Sequence, residues 1–241
     1  MKSFQFLEGE TLLIDKPLTW TSFDVVNKLR YGIKRHLGVK KIKVGHAGTL
    51  DPLATGLVII CSGKNTKNIE QYMGLKKVYT GCITLGGTTP SYDLETEITL
   101  GINPEFTLEQ IQEKANNFLG EIQQTPPIFS AKKIDGKKAY DLARAGKEVV
   151  MKKNPVEVNE FKILDAQKSK HIENGLDCNF TVTCSKGTYI RSLAFDLGES
   201  LGCGGFLSSL TRTQIGDLKV EDAISPEEFI DMLDDIPKSQ G

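Results

Sequence analysis

One carboxylate, Asp51, stands in a segment whose composition could hold it rigidly for catalysis. The twelve residues Gly45–Gly56 include three glycines, Pro52 and His46. Glycine lets the backbone take positive φ angles and approach a ligand closely, and Pro52 biases Asp51 towards an extended conformation. The apolar run at 57–61 then predicts a buried strand. Asp51 is therefore expected in a rigid loop at the mouth of a core strand, although ordinary turn chemistry explains the same residues.

Two further residues are candidates for a site. Tyr79 lies near the start of the alternating segment 76–86, so its ring is expected on the apolar face of a strand, where tyrosines usually only pack. Arg191 falls in the first turn of a predicted helix, off its apolar face. The helix dipole does not favour a cation at that end. We therefore expect a specific carboxylate partner for Arg191, with an exposed arginine as the alternative.

Short-range patterns predict the elements around these residues. An apolar stripe at 3.6-residue spacing predicts a helix that begins at Thr21 or Ser22 and ends before Gly38. Thr107 and Gln110 form a capping-box pattern for a second helix, which we expect to end at Gly120. Strands are predicted over 9–14, 57–61, 76–86 and 176–184, and a phase slip near 159–160 predicts a β-bulge.

Composition restricts the class of protein. The 241 residues are 39% hydrophobic and 25% charged, as in a globular protein. No secretory signal or membrane-spanning run is present, and five cysteines without paired spacing favour a reducing compartment, so we expect a cytoplasmic protein. Three histidines, none at zinc spacing from a cysteine pair, predict no metal site.

The net charge of −1 conceals an uneven distribution. Seven Lys/Arg and no acid lie between Lys28 and Lys43, and eight Lys/Arg against three acids lie between Lys132 and Lys153. From Asp217 onward there are eight acids and two lysines. Basic stretches of this kind bind phosphate backbones, although solvated helix faces have the same composition.

The glycine-rich segment resembles the catalytic motif of the bacterial TruB family, the tRNA pseudouridine synthases that act on the T loop. The family pattern GHxGTLDPxATGxL is matched by Gly45–Leu57, and its GxxTK continuation by Gly63–Lys67. Other segments also resemble family motifs and occur in the order that the family has. They are residues 15–22, before the glycine-rich segment, and residues 85–93, 126–146, 184–198 and 207–213 after it. In the first of these, Thr19 stands where the family has glycine.

The resemblance implies an α+β fold, with a mixed, largely antiparallel sheet and flanking helices. It also implies an isomerase that converts uridine 55 of the tRNA T loop to pseudouridine, without cofactor or metal. Asp51 would be the nucleophile, since a carboxylate can act covalently in glycosidic chemistry. Arg191 would pair with Asp51, and Tyr79 would stack on the base and is a candidate for removing the C5 proton. The point at which Asp51 attacks stays open.

Other roles also follow from the resemblance. The target base must leave its stack, and His46 would fill the vacated position, while Tyr189 and Leu210 would line the uracil pocket. The insertion at about 125–153 would grip the RNA. Contacts with the RNA backbone are expected from six lysines: Lys16, Lys64, Lys132, Lys133, Lys137 and Lys138.

Three further expectations complete the sequence-based description. We expect a single catalytic domain over 1–241 that acts as a monomer on the T arm and lacks the C-terminal PUA-type module of many relatives. The alternative function is a non-catalytic module that binds or folds the T arm. A P-loop at Gly63-Lys64-Asn65-Thr66 is excluded, because its first glycine would fall at Val58 and Asn65 follows the lysine.

Overall fold

The computed structural model describes residues 4–130, 132–134, 137–139 and 150–235, with the main chain alone for 133–134 and 137–138. The chain divides into two compact units. The first unit joins residues 1–78 to 211–241, and the second is continuous from 79 to 210. The two units do not decide how many domains the chain has, so the expected single catalytic domain stays a prediction. The division could not be inferred from composition, because the first unit is assembled from segments at opposite ends of the chain.

The first unit is built around a short antiparallel sheet. Strands β1 (Thr11–Lys16) and β2 (Val44–His46) both pair antiparallel with β3 (Ala54–Ser62). Strand β3 is buried along nearly all of its length, as its apolar sequence predicts. The other elements of this unit are α1 (Ser22–Leu37), α2 (Ile69–Gly74), the start of β4 (Lys77–Leu85), the end of β12 (Gly205–Ile215), β13 (Leu218–Lys219) and α5 (Pro226–Asp235).

Helix α1 has the limits that its sequence signals predict. Thr21 caps the first turn in a capping box with Asp24, and Gly38 takes the left-handed conformation after the last turn. The buried stripe consists of Val25, Val26, Leu29 and Ile33. Helix α5 packs against α1 so closely that a Cβ on Gly32 would lie 2.3 Å from Ile230 Cδ1. Residues beyond 235 lie outside the described part of the chain.

The second unit carries the longer strands. Its sheet has the order β12–β4–β11–β10–β7, where β7 is Gly120–Gln124, β10 Asn154–Lys168 and β11 Leu176–Cys184. Strand β10 runs antiparallel to both of its neighbours, and its register shifts between Val158 and Glu160, which confirms the predicted bulge. The remaining elements are β5 (Gly87–Thr88), β6 (Thr99–Leu100), α3 (Leu108–Asn116), β8 (Lys133–Ile134), β9 (Lys137–Lys138) and α4 (Ile190–Leu201).

The α+β class and its largely antiparallel strands are confirmed. The capping box of Thr107 with Gln110 is present, but α3 ends at Asn116, short of the expected Gly120, because β7 begins at that glycine. The expected RNA-gripping insertion lies partly outside the described residues. Among the helices in the described ranges, none is long and apolar enough to cross a membrane.

Candidate active site

The loop that bears Asp51 is held by hydrogen bonds to helix α1. The Ser22 hydroxyl, in the first turn of α1, accepts from the Leu50 amide at 2.8 Å and lies 3.2 Å from the Leu50 carbonyl oxygen. The main chain of Asp51 then closes a turn, since its carbonyl accepts from the Ala54 amide at 3.0 Å. Both main-chain groups of the residue before Asp51 are therefore bonded to one buried side chain, which limits the freedom of the carboxylate.

A buried arginine holds the same loop from the other side. Arg212 is 1% exposed, and its guanidinium donates to three carbonyl oxygens, those of Gly48, Thr49 and Leu57. The planar, permanently charged guanidinium suits several fixed acceptors at once. Gly56 allows the approach, since a Cβ there would lie 2.4 Å from the Arg212 carbonyl oxygen. Arg212 thus connects both ends of the Asp51 loop, a role that we did not predict.

Lys16 occupies a different position from the one that an RNA contact requires. Its side chain is fully buried at the end of β1, and its ammonium donates to the carbonyls of Pro17 and Trp20 at 2.8 and 2.6 Å. Burial lowers the pKa of Lys16 to about 8, and the negative charge of Asp51 acts in the opposite direction. We therefore replace the RNA contact by an internal role, as a cation beside Asp51 that also holds the loop after β1.

The turn after β1 contains the residue that departs from the family motif. Thr19 takes a φ of 71°, in the left-handed region where glycine is usual, and its amide donates to the Pro52 carbonyl at 2.8 Å. The threonine thus adopts the conformation that the family glycine would permit. The bond to Pro52 ties this turn to the residue that follows Asp51.

His46 ends strand β2, in register with Ile60 of β3. Burial lowers the pKa of His46 below its ordinary value and outweighs the opposite effect of the Gly48 main chain. The imidazole is therefore neutral at physiological pH. A flat, uncharged ring at the start of the Asp51 loop is consistent with the stacking role predicted for it.

In the second unit, Arg191 lies in the first turn of α4 and is 5% exposed. Its Nη1 is 3.4 Å from Asp93 Oδ2 and donates to the Ser91 carbonyl at 3.1 Å. The expected carboxylate partner is therefore present within this unit and is Asp93, which the sequence alone did not identify. Asp51 belongs to the first unit and Arg191 to the second, so their pairing stays a prediction.

The segment that carries Asp93 is held in an unusual conformation. Tyr92 has a φ of 63°, and its ring stacks on Phe195 of α4 with 4.0 Å between centroids. A left-handed tyrosine costs of the order of 1 kcal/mol or more, so the surrounding contacts must stabilise it. The Thr89 and Ser91 hydroxyls both donate to the Asp93 carbonyl oxygen. The loop is thus fixed on both sides of the carboxylate that faces Arg191.

Tyr189 is held through its main chain. The buried amide of Gln124, at the end of β7, donates to the Tyr189 carbonyl at 3.0 Å and accepts from the Tyr189 amide at 2.8 Å. The Gln124 side chain therefore bonds both main-chain groups of Tyr189, as a neighbouring β-strand would, at the residue that precedes α4. Gln124 therefore fixes where α4 begins, and with it the position of Arg191.

Replacing Gln124 by Met tests this arrangement, since Met keeps most of the volume and removes both hydrogen bonds. We expect kcat for the activity that the resemblance implies to fall by about tenfold to 100-fold, because small misplacements of catalytic groups have effects of this size. Gln124→Glu retains only the acceptor and should fall between Met and wild type. The matched control is Gln123→Met on the same strand, which is exposed. Equal kcat values for the three variants and wild type would contradict the role.

Tyr79 and Leu210 lie on neighbouring strands of the second unit. Tyr79 is buried on the same face of β4 as Ile83 and Leu85, as predicted. Gly81 lets β12 approach, because a Cβ there would lie 2.2 Å from the Ser209 carbonyl oxygen and 3.2 Å from the Leu210 Cα. The half-buried Leu210 is thus beside the strand that begins near Tyr79.

The other lysines expected on RNA differ in how much of them is described. Lys64 is exposed and forms an ion pair with Glu8. Lys132 is half-buried and donates to Asn154 Oδ1 at 2.8 Å. Lys133, Lys137 and Lys138 lie on the β8–β9 hairpin, whose side chains fall outside the described part of the structure. RNA contacts by these lysines stay predictions.

The half-buried carboxyl of Asp196 on α4 should make the stability of the protein depend on pH. Burial, with a smaller contribution from Glu199, raises its pKa to about 6. The unfolded chain has the lower pKa, so it releases this proton first, and stability falls as pH rises from about 4 to 6. Asp196→Asn should therefore raise the free energy of unfolding at pH 7 by about 1–3 kcal/mol and leave it unchanged at pH 4. Urea denaturation at both pH values measures this, and an equal effect at both would contradict it.

Within the described residues, no group of three or more His, Cys, Asp or Glu could hold a metal ion. Of the residues discussed, His46, Asp51, Lys16 and Arg212 belong to the first unit, and Tyr79, Tyr189, Arg191 and Leu210 to the second. Five residues with positioning contacts were missed: Ser22, Asp93, Gln124, Tyr92 and Arg212. Ser22, Asp93 and Arg212 are polar residues inside segments that resemble family motifs, and that position could have marked them as candidates. Gln124 lies in no such segment.

The fold and the Asp51 loop are those of a protein with an α+β sheet and a carboxylate fixed on a glycine-rich loop. Residues 34–190 match the model for the N-terminal domain of TruB family pseudouridylate synthases. The chain belongs to the TruB family.

Curated relatives resemble the chain over nearly its whole length. It is 53% identical over 230 residues to a tRNA pseudouridine synthase B of Phocaeicola vulgatus, with 95% of each chain covered. It is 49% identical over 231 residues to the protein of that name from Flavobacterium johnsoniae, with 95% of this chain and 98% of the relative covered.

Solved structures confirm the fold. A crystal structure of a Cbf5–Nop10–Gar1 complex matches 94% of this chain with a TM-score of 0.67 and 28% identity. A structure of an H/ACA ribonucleoprotein bound to a substrate RNA containing 2′-deoxyuridine matches 97% with a TM-score of 0.64 and 27% identity. This chain spans 54% and 57% of those two chains.

Proposed function

We propose that this chain is an isomerase that converts a uridine of tRNA to pseudouridine, at position 55 of the T loop. The observation that carries the proposal is the Asp51 loop, which has the family motif and is bonded on both sides by Ser22 and Arg212. Relatives at about half identity over nearly the whole chain are named tRNA pseudouridine synthase B. No observation favours a non-catalytic T-arm module.

The reaction requires cleavage of the N1–C1′ bond, rotation of the uracil, and formation of a C5–C1′ bond with loss of the C5 proton. N1 takes up a proton from the solvent in place of the one lost from C5, so the product is an isomer of the substrate and no redox partner enters. Asp51 is the proposed nucleophile because its carboxylate is carried by a fixed loop. The Lys16 ammonium lies beside it, and the charge of Asp51 favours the charged form of Lys16. Arg191 of the second unit, which is paired with Asp93, is the cation that we propose as a partner of Asp51.

Access to the uridine requires that the base leave its stack, which costs a few kcal/mol. We propose that the neutral His46 ring takes the vacated position, since an uncharged aromatic plane stacks on neighbouring bases at little desolvation cost. Tyr79, Tyr189 and Leu210 would then contact the extruded uracil. Tyr79 is also the candidate for removing the C5 proton.

Release of tritium from tRNA labelled at C5 of uridine tests the proposal, because pseudouridine formation must expel that hydrogen. We expect the purified chain to release one equivalent per tRNA and to leave a tRNA with uridine 55 replaced by cytidine unreacted. Binding of tRNA without any release would contradict the isomerase and support the T-arm module. Release from the cytidine-containing tRNA would contradict the position.

A further inference from the structure

A basic groove runs along one side of the first unit, away from the residues assigned above except Lys64. Two adjoining cavities of about 470 and 310 Å³ share Lys41, Ile42 and Lys43 and together form what we term the α1 groove. Its cationic lining comes from helix α1, the segment before β2 and the turn after β3. These cations are Arg30, Lys34, Lys40, Lys41, Lys43, Lys64 and Lys67.

The positive charge of the groove is poorly compensated by the chain itself. Residues 25–50 contain no acid. In the described part of the structure, Arg35 of the same helix is paired with Asp234, and Lys64 is paired with Glu8. None of the ion pairs in the described part of the structure includes Lys40, Lys41 or Lys43, which are all exposed. A concave surface with an excess of one charge concentrates ions of the opposite sign, so the groove is suited to a polyanion.

The lining also indicates which part of a nucleic acid would bind. Among the described residues, no aromatic side chain lines either cavity, so these residues offer no platform for base stacking. Flexible ammonium groups pair with phosphates irrespective of sequence. The Arg30 guanidinium is already engaged, since it donates to the Val44 carbonyl at 2.9 Å and to Asn27. Arg30 therefore fixes the wall of the groove, and the lysines other than Lys64 are the groups that would bind the ligand.

We propose that the α1 groove binds the phosphate backbone of the tRNA while the Asp51 loop engages the target uridine. This inference rests on the proposed function and extends it to a second contact surface. Strand β2 leads directly from Lys43 to His46, so the groove and the Asp51 loop belong to one continuous stretch of the same unit. Backbone binding there would hold the tRNA through contacts that do not depend on its sequence.

The test replaces Lys34, Lys40 and Lys41 together by Gln and measures binding of unmodified full-length tRNA over a range of salt concentrations. These positions leave the structural bonds of Arg30 intact. If the three lysines contact phosphates, the slope of log affinity against log salt should decrease in magnitude by about 2 to 3, and affinity at 0.1 M salt should fall by about tenfold or more. The matched control is Lys162, Lys168 and Lys170 to Gln, with the same charge change on exposed positions of the second unit.

An unchanged salt slope in the groove variant, or an equal decrease in the control, would overturn the proposal. Thermal unfolding of both variants establishes that they fold like wild type before binding is compared. Measuring tritium release by wild type distinguishes failure of the groove proposal from failure of the proposed function. If wild type turns over and the groove variant binds normally, the groove assignment fails alone; if wild type binds through the groove but releases no tritium, the proposed function fails alone.

Discussion

Asp51→Asn is expected to lower pseudouridine formation by at least about 10⁴-fold, because loss of a nucleophile removes the covalent route. The amide has nearly the same shape as the carboxylate. Ser22 and Arg212 hold the loop through its main-chain groups, and the substitution leaves those hydrogen bonds in place. The variant should therefore fold and bind tRNA with an affinity within about threefold of wild type, a change of less than 1 kcal/mol.

Tritium release in single-turnover conditions measures this prediction, with tRNA binding measured on the same samples. The matched control is Asp217→Asn, an exposed Asp of the same unit in the turn between β12 and β13. This control should retain wild-type turnover. Turnover by Asp51→Asn within tenfold of wild type would exclude Asp51 as the nucleophile and would require another group to perform that step.

Asp93→Asn should lower both stability and activity. The carboxylate of Asp93 and the guanidinium of Arg191 are 8% and 6% exposed, so removing the Asp93 charge takes away a counter-charge from a buried cation. Loss of one member of such a pair costs about 3–5 kcal/mol in the free energy of unfolding. A displaced Arg191 should also lower kcat by about 100-fold or more.

A double variant separates the two effects. Asp93→Leu with Arg191→Met replaces both charges by apolar groups of similar size, and should recover much of the lost stability, since buried ion pairs are often dispensable for folding. Its activity should stay at the level of the single variant or below it.

Asp177→Asn is the control for burial alone. Asp177 is a buried Asp of the same unit that accepts from Thr84, and its replacement should reduce stability but not kcat. Activity of Asp93→Asn equal to that of Asp177→Asn would show that the ion pair serves the fold only. Activity in the double variant near the wild-type level would exclude a catalytic role for Arg191.

The local structure around the site follows closely from local sequence. Helix α1 begins and ends where Thr21 and Gly38 predict, and β3 follows the glycine-rich loop, because capping and apolar periodicity act over a few residues. The face of β4 that buries Tyr79 follows from strict alternation. The motif resemblance identified the family as well, since it rests on residue types in order and needs no coordinates.

Tertiary structure decided the contacts that hold the site. Arg191 and Ser91 are 100 residues apart in the chain, and Arg212 and Thr49 are 163 apart, yet each pair shares a hydrogen bond. Lys16 has the sequence context of a surface lysine, but β1 carries it into the interior, where main-chain carbonyls replace water. Local patterns report which residues can form a helix, strand or loop. They do not report which distant main-chain carbonyls need a hydrogen-bond donor. That need explains why Arg212 and Lys16 are buried in the first unit and Gln124 in the second.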